Sequence, residues 1–195
     1  MGELLKYRSP QRRKETTASI GMIIFVASWL MLFAGFFFAY GMLRNKAVSW
    51  PPMGAPELPV TLGALNTLLI ALSSLSLQRA LGAIKKDNTK VLSAGLFVTL
   101  ALGVAFTVLQ VVSWMQLSEQ GLLPSGGSYG GVFYCLTVVH ALHVLVGLAA
   151  LIGLTVRSLQ GVFSAASHHI IRLWAIYWHF VGGIWVFLFL TVYVM

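Results

Sequence analysis

The sequence predicts an all-α fold, an integral membrane bundle of five transmembrane helices. Of the 195 residues, 58% are hydrophobic and only 9% are charged, and the mean hydropathy is +0.85. A soluble domain carries roughly 25% charged residues. The few charges also divide the chain into five long uncharged stretches. Each stretch supplies the roughly 20 apolar residues that a membrane-spanning helix needs.

The uncharged stretches give the helices in chain order: residues 16–43, 58–78, 91–118, 120–156 and 173–195. We predict one membrane domain, 19–195, with helices at about 19–43, 59–78, 91–117, 132–156 and 173–194. The fourth helix starts late, near Val132, because the preceding LLPSGGSYGG has the composition of a loop. The first run follows a basic tail, residues 1–18. It exceeds the roughly 7–15 residue core of a signal peptide, so we expect it to remain as an anchor.

Basic residues are distributed unevenly between the two sides of the predicted membrane. Arg44 and Lys46 follow the first helix on one side. Eleven others lie on the opposite side, in the N-terminal tail and in the second-to-third and fourth-to-fifth helix loops: Lys6, Arg8, Arg12, Arg13, Lys14, Arg79, Lys85, Lys86, Lys90, Arg157 and Arg172. Because basic loops stay cytoplasmic, we predict a cytoplasmic N-terminus and an outer C-terminus. The formal charge of +8 thus orients the chain and does not indicate nucleic-acid binding.

No acidic residue lies in the middle of a predicted span. All of them fall at helix ends or in loops: Glu3, Glu15, Glu57, Asp87 and Glu119. Proton pumps and cation carriers place ionisable groups at membrane depth, where they are costly to insert. The distribution therefore argues against a proton or cation pathway through this chain, and leaves a path for a neutral lipid or an anion open.

Histidines are the remaining candidates for chemistry inside the membrane. His140 and His143 are three residues apart and share a face of the fourth helix, and His179 lies on the fifth. Together they could ligate zinc, copper or haem iron, but no acid stands beside them, and the single cysteine, Cys135, lies five residues before His140. The alternative, which we favour, is that each imidazole hydrogen-bonds a neighbouring helix. We predict the same structural, interhelical role for Asn66.

A second histidine pair lies in the loop before the fifth helix. His168 and His169, in SAASHHIIR, belong either to a solvated turn or to a contact with a phospholipid headgroup alongside Arg157. We predict the headgroup contact for these three residues.

Several segments together resemble one known family. The C-terminal YWHFVGGIWVFLFLTVYVM resembles the final helix of subunit III of the haem-copper respiratory oxidases, with its YWHFVD and VWLFLF segments. HALHVLVG, LNTLLIALSS, LFAGFFFAY and GVAFTVLQ are similar to further motifs of that family. The motifs follow the family's order from about residue 20 to the end, and correspond to a short form without the first two of seven helices.

The resemblance implies a non-catalytic, lipid-binding subunit of a proton-pumping oxidase that reduces oxygen to water. Its partners would be subunits I and II, which would hold the haem and copper, in a bacterial cytoplasmic membrane. This chain would hold neither cofactor nor metal, would carry no catalytic residue, and would support assembly and sustained turnover of subunit I. Arg157 matches the family's lipid-headgroup arginine, and His140, His143 and His179 match its structural histidines. The electron donor, cytochrome c or quinol, stays open.

The chain departs from the family wherever a carboxylate is expected. Trp29, Ser113, Arg172 and Gly182 stand at positions where members carry an acid, and Asn66 does so relative to quinol-type members. A role for such carboxylates in proton uptake is therefore not expected here. We predict instead that Gly182 and Gly183 let the fifth helix approach a neighbour closely while His179 ties it in place.

Three alternatives compete with this interpretation. An accessory subunit of a nitric oxide reductase shares the fold family. An independent transporter of a small neutral solute would need a polar cavity, for which Asn66, Ser73, Ser74 and Ser76 are few. A self-contained metalloenzyme would need ligands beyond the histidines.

Overall fold

The computed structural model describes residues 10–194, and every regular element in that range is helical. The helices are α1 (Pro10–Lys46), α2 (Val60–Ile84), α3 (Thr89–Glu119), α4 (Ser128–Leu159) and α5 (His169–Leu188), and α5 continues into a π-helical segment (Phe189–Val194). Each of the five is long and apolar enough to cross a membrane. The predicted all-α bundle of five spans is confirmed, and the chain is a multi-pass membrane protein. Lys6 and Arg8 of the predicted tail lie outside the described residues.

The helices are longer than the uncharged stretches that predicted them. α1 begins at Pro10, inside the predicted tail, and α2 continues past Arg79 to Ile84. Hydropathy marks the part of a helix that meets lipid, whereas backbone hydrogen bonding continues into the headgroup layer, and proline is well accommodated in a first turn. α4 begins at Ser128, four residues before the predicted Val132. The glycines of GSYGG, expected to form a loop, belong largely to its first turn.

α2 and α3 form the most extensively packed helix pair. The turn between them places Asp87 at a φ of 54°, and the side chain of Asn88 caps α3 by accepting a hydrogen bond from the Val91 amide. α4 packs on α3 and α5, and α5 also packs on α2. α1 rests on α4 and α5, which leaves most of its surface uncovered.

The loops that carry the basic residues lie at the same end of the bundle. The amide of Ala165, in the loop before α5, donates to Oδ1 of Asp87 at 2.6 Å. Oγ of Ser19, near the start of α1, lies 3.0 Å from Nε2 of His169. The charge asymmetry of the sequence is therefore an asymmetry of the folded molecule. The direction in which the bundle crosses the membrane stays a prediction.

Candidate functional site

The side chains that join the helices are concentrated around α5. Trp178 is 1% exposed, and its Nε1 donates to Oγ of Ser73 on α2 at 3.0 Å. Trp185 is 0% exposed and donates in the same way to Oγ1 of Thr67 at 3.1 Å. The two indoles are seven residues apart, so they lie on the same face of α5. This spacing in YWHFVGGIW was the available signal for these anchors, which the sequence analysis missed.

Two glycines make room for Trp178. A Cβ atom on Gly103 of α3 or on Gly147 of α4 would lie 2.8 Å from atoms of this indole. The neighbouring Tyr177 is also buried, and its hydroxyl donates to the carbonyl of His143 on α4 at 3.0 Å. α5 is thus held to α2, α3 and α4 by packing and by hydrogen bonds.

His140 lies in the core but makes no hydrogen bond. It is 1% exposed, and neither ring nitrogen has a partner among the described residues. The imidazole packs instead against the rings of Phe33, Phe106 and Trp185, with centroids 6.2, 6.1 and 5.5 Å away. His140 therefore lies between helices, as expected, but the predicted hydrogen bond to a neighbour is wrong, because the surrounding helices present aromatic carbons at this position.

His143 bonds within its own helix. Its Nδ1 donates to the carbonyl of Val139, one turn earlier, at 2.6 Å. The ring meets Trp29 of α1 edge to face, with centroids 3.9 Å apart. Neither Nε2 of His143 nor Nε1 of Trp29 has a hydrogen-bond partner in the described chain. The predicted bond to a neighbouring helix is replaced by one to the nearest backbone acceptor, since α1 offers only rings here.

His179 faces α2. Its Nε2 lies 3.4 Å from Oε1 of Gln78, and the side chain is half-buried. The adjacent Gly182 is buried, and a Cβ there would lie 3.4 Å from Cγ1 of Ile70, so α5 and α2 do come close at this point. Nothing lies within 4 Å of such an atom on Gly183, and the predicted close approach at that residue is wrong.

Asn66 begins a buried chain of polar contacts. Its Nδ2 donates to Oε1 of Gln110 on α3 at 3.2 Å, and Nε2 of Gln110 reaches the hydroxyl of Tyr193 at 3.4 Å. The chain connects α2, α3 and the π-helical segment. Ser73 and Ser76 likewise bond across to α5 and α3, the latter through the Gly95 carbonyl at 2.9 Å. These polar groups serve helix packing, which weakens the transporter alternative.

The predicted headgroup residues are only partly brought together. His168 and His169 line a recess of about 120 Å³ with Glu15, Ala166 and Arg172. Nδ1 of His168 donates to the Ala165 carbonyl at 2.7 Å. Arg157 is exposed in the last turn of α4 and does not line this recess. Arg172 thus lies beside the two histidines where Arg157 was expected, and a headgroup contact of these residues stays a prediction.

The described side chains can also be searched for the ligands that a metal site would need. Within residues 10–194, no three His, Cys, Asp or Glu side chains form a group that could hold a metal ion. Cys135 is an exposed free thiol.

The chain is similar to known proteins over almost its whole length. The family model described as cytochrome c oxidase subunit III matches residues 12–195. The chain is 35% identical over 179 residues to cytochrome c oxidase subunit 3 of Equus caballus, covering 89% of this chain and 67% of that protein. It is 33% identical over 176 residues to the protein of the same name from Synechocystis sp., covering 90% and 74%.

The match spans all five helices, including the α5 motif whose indoles anchor the bundle. The chain therefore belongs to the cytochrome c oxidase subunit III family and is a haem-copper oxidase subunit III within a multi-subunit respiratory complex.

Proposed function

We propose that this subunit III is a non-catalytic, lipid-binding scaffold that packs against subunit I, and in the same complex subunit II, in a bacterial cytoplasmic membrane. It supports assembly and sustained turnover of the oxygen-reducing, proton-pumping centre. Haem and copper reside in the partner subunits.

One observation carries the proposal: the buried polar groups of the spans hold helices together. Asn66, Gln110, Ser73 and Thr99 bond across or within helices, and no Asp, Glu, Lys or Arg is buried in the described chain. Proton paths at membrane depth are lined by chains of Asp, Glu or His side chains. In the described chain the buried His140 faces aromatic rings and His143 bonds to its own helix, with no buried acid beside either. We therefore expect proton and electron transfer to run through the partner subunits, with this chain as a packing partner.

Apolar grooves support the lipid-binding part of the proposal. One groove of about 530 Å³ lies between α1 and α5 and is lined among others by Phe33, Phe37, Gly183 and Phe187. Its walls are almost wholly hydrocarbon and aromatic, which suits acyl chains. The recess at His168 and His169 would receive a headgroup at the end of the bundle that carries the basic loops.

The experiment is affinity purification of the tagged chain in mild detergent. Partner subunits are identified by mass spectrometry, and haem is recorded by its visible absorption spectrum. We expect subunits I and II and a haem signal that stays with subunit I when this chain is dissociated. Copurification with a nitric oxide reductase would support that alternative. The isolated chain retaining haem or copper, or reducing oxygen, would contradict the proposal.

A further inference from the structure

A pocket of about 300 Å³ lies at the end of the bundle opposite the basic loops. Its walls come from the end of α1, the loop 47–59, the starts of α2 and α4, and the π-helical segment. Tyr40, Trp50, Tyr129 and Tyr193 line it, together with Glu57. We call it the outer aromatic pocket.

Trp50 stands nearly perpendicular to two tyrosines of this pocket. Trp50 meets Tyr40 with centroids 5.6 Å apart at 84°, and Tyr129 with centroids 5.1 Å apart at 79°. The Tyr40 hydroxyl donates to the Thr191 carbonyl at 3.0 Å and accepts from Nε1 of Trp50 at 3.3 Å. The polar atoms of Tyr40 and Trp50 are thus engaged with the protein, which fixes these two rings in the aromatic box that lines the pocket.

Glu57 adds a negative charge to this box. Its side chain is exposed at the pocket, whereas the chain as a whole has a formal charge of +8. Aromatic faces attract cations, most strongly when the cation is weakly hydrated, and such boxes are used to recognise quaternary ammonium groups. Arg44 and Lys46 lie at the same end of the bundle but do not line the pocket, so the charge on its wall is that of Glu57. Carboxylate and rings therefore favour an organic cation over an anion inside the pocket.

The position of the pocket indicates where the cation comes from. Trp and Tyr residues collect at the headgroup level of membranes. The pocket lies at the ends of four transmembrane segments, and its lining also includes the aliphatic side chains of Val60, Val192 and Val194. We propose that the outer aromatic pocket binds the alkylammonium headgroup, choline or ethanolamine, of a phospholipid in the adjacent leaflet. This assignment does not depend on which catalytic subunit the chain accompanies.

The test uses the full chain, in its purified complex, in nanodiscs of equimolar phosphatidylcholine, phosphatidylethanolamine and phosphatidylglycerol with identical acyl chains. A trace of photoreactive lipid, diazirine-labelled near the headgroup, is added with either a choline or a glycerol headgroup. Labelled peptides are identified by mass spectrometry. We expect the choline probe to label loop 47–59 or residues 190–194 several-fold more than the glycerol probe, and tetramethylammonium to suppress that labelling.

Variants separate the two parts of the site. Trp50→Leu should reduce labelling about two- to thirty-fold, the range expected for one cation–π contact. Glu57→Gln, at an exposed position, should reduce it without disturbing the fold, and Glu119→Gln, an exposed acid elsewhere, should leave it unchanged. Equal labelling by both probes would overturn the proposal, as would wild-type labelling of Glu57→Gln. So would a photoreactive residue at position 57 that captures a partner protein in place of lipid.

Discussion

The position of the buried Trp178 indole depends on two glycines that leave space for it. The indole fills the space between α3 and α4 because Gly103 and Gly147 have no Cβ, and Ser73 receives its N–H. Some other glycines of the bundle face open space. A Cβ on Gly153 of α4, or on Gly35 of α1, would meet nothing within 4 Å. The cost of replacing a glycine here therefore depends on which atoms an added Cβ would meet.

Gly147→Ala should destabilise the bundle by about 1–3 kcal/mol, because the added methyl group would overlap the Trp178 ring. Gly153→Ala, in the same helix, is the matched control and should be neutral or slightly stabilising. Thermal unfolding of the full-length chain in detergent measures both. Equal behaviour of the two variants would show that Trp178 is not tightly enclosed.

His140→Phe should keep or raise stability, because the imidazole is buried among aromatic rings with both nitrogens unpartnered. Burying such polar atoms without hydrogen bonds is unfavourable by about 1–3 kcal/mol, and phenylalanine removes that penalty. The same unfolding measurement checks this, with the haem content of the complex as a control that should not change. A clear loss of stability would reveal a polar partner for His140.

At the scale of the element, α5 is the helix on which the bundle is assembled. It packs on α1, α2 and α4, and its continuation, the π-helical segment, is held by two hydroxyl contacts. The Tyr193 hydroxyl meets Gln110, and the Tyr40 hydroxyl donates to Thr191. These contacts place the C-terminal residues beside the end of α1 and so complete the outer aromatic pocket.

Gln110→Leu should loosen the π-helical segment, since Gln110 links Asn66 to Tyr193. Asn66 and Tyr193 would both lose a buried partner, and individual bonds of this kind are worth about 0.6 kcal/mol on average inside membranes. Hydrogen exchange of residues 189–194 should accelerate, and Asn66→Leu combined with Gln110→Leu should cost less than the sum of the single changes. Strict additivity would contradict the coupled chain of contacts.

At the scale of the whole molecule, charge is segregated between the two ends. The loops before α3 and before α5 are joined by the hydrogen bond between Asp87 and Ala165. Lys85, Lys86 and Lys90 lie in or beside the first loop, and Arg157 and Arg172 flank the second. Arg44 and Lys46 lie at the other end of α1. The positive-inside rule then predicts that the first end faces the cytoplasm.

Cysteine labelling in a Cys135→Ser background tests this orientation. Met53→Cys, in the loop after α1, should react with a membrane-impermeant maleimide added to intact cells, because Met53 is 97% exposed and would face outside. Ala166→Cys, in the loop before α5, should react only after the membrane is opened. The reverse pattern would invert the topology.

The number of spans, the segregation of charge and the family were all readable from the sequence. Each span must be apolar enough for lipid by its own composition, and each family motif is one contiguous segment of sequence, so both signals are local. The helix ends were less readable, because hydrogen bonding continues past the point where hydropathy falls, as it does at Pro10 and Ile84.

What only the tertiary structure decided is which side chains meet. Tyr40 and Thr191 are 151 residues apart in sequence, and Trp178 and Ser73 are 105 apart. Such pairs depend on the rotation of each helix about its axis and on the position along the membrane normal at which two helices cross. Neither quantity can be deduced from the composition of a single helix. For that reason His140 lacks its predicted bond, Gly103 and Gly147 matter where Gly35 does not, and the outer aromatic pocket emerges only in the folded chain.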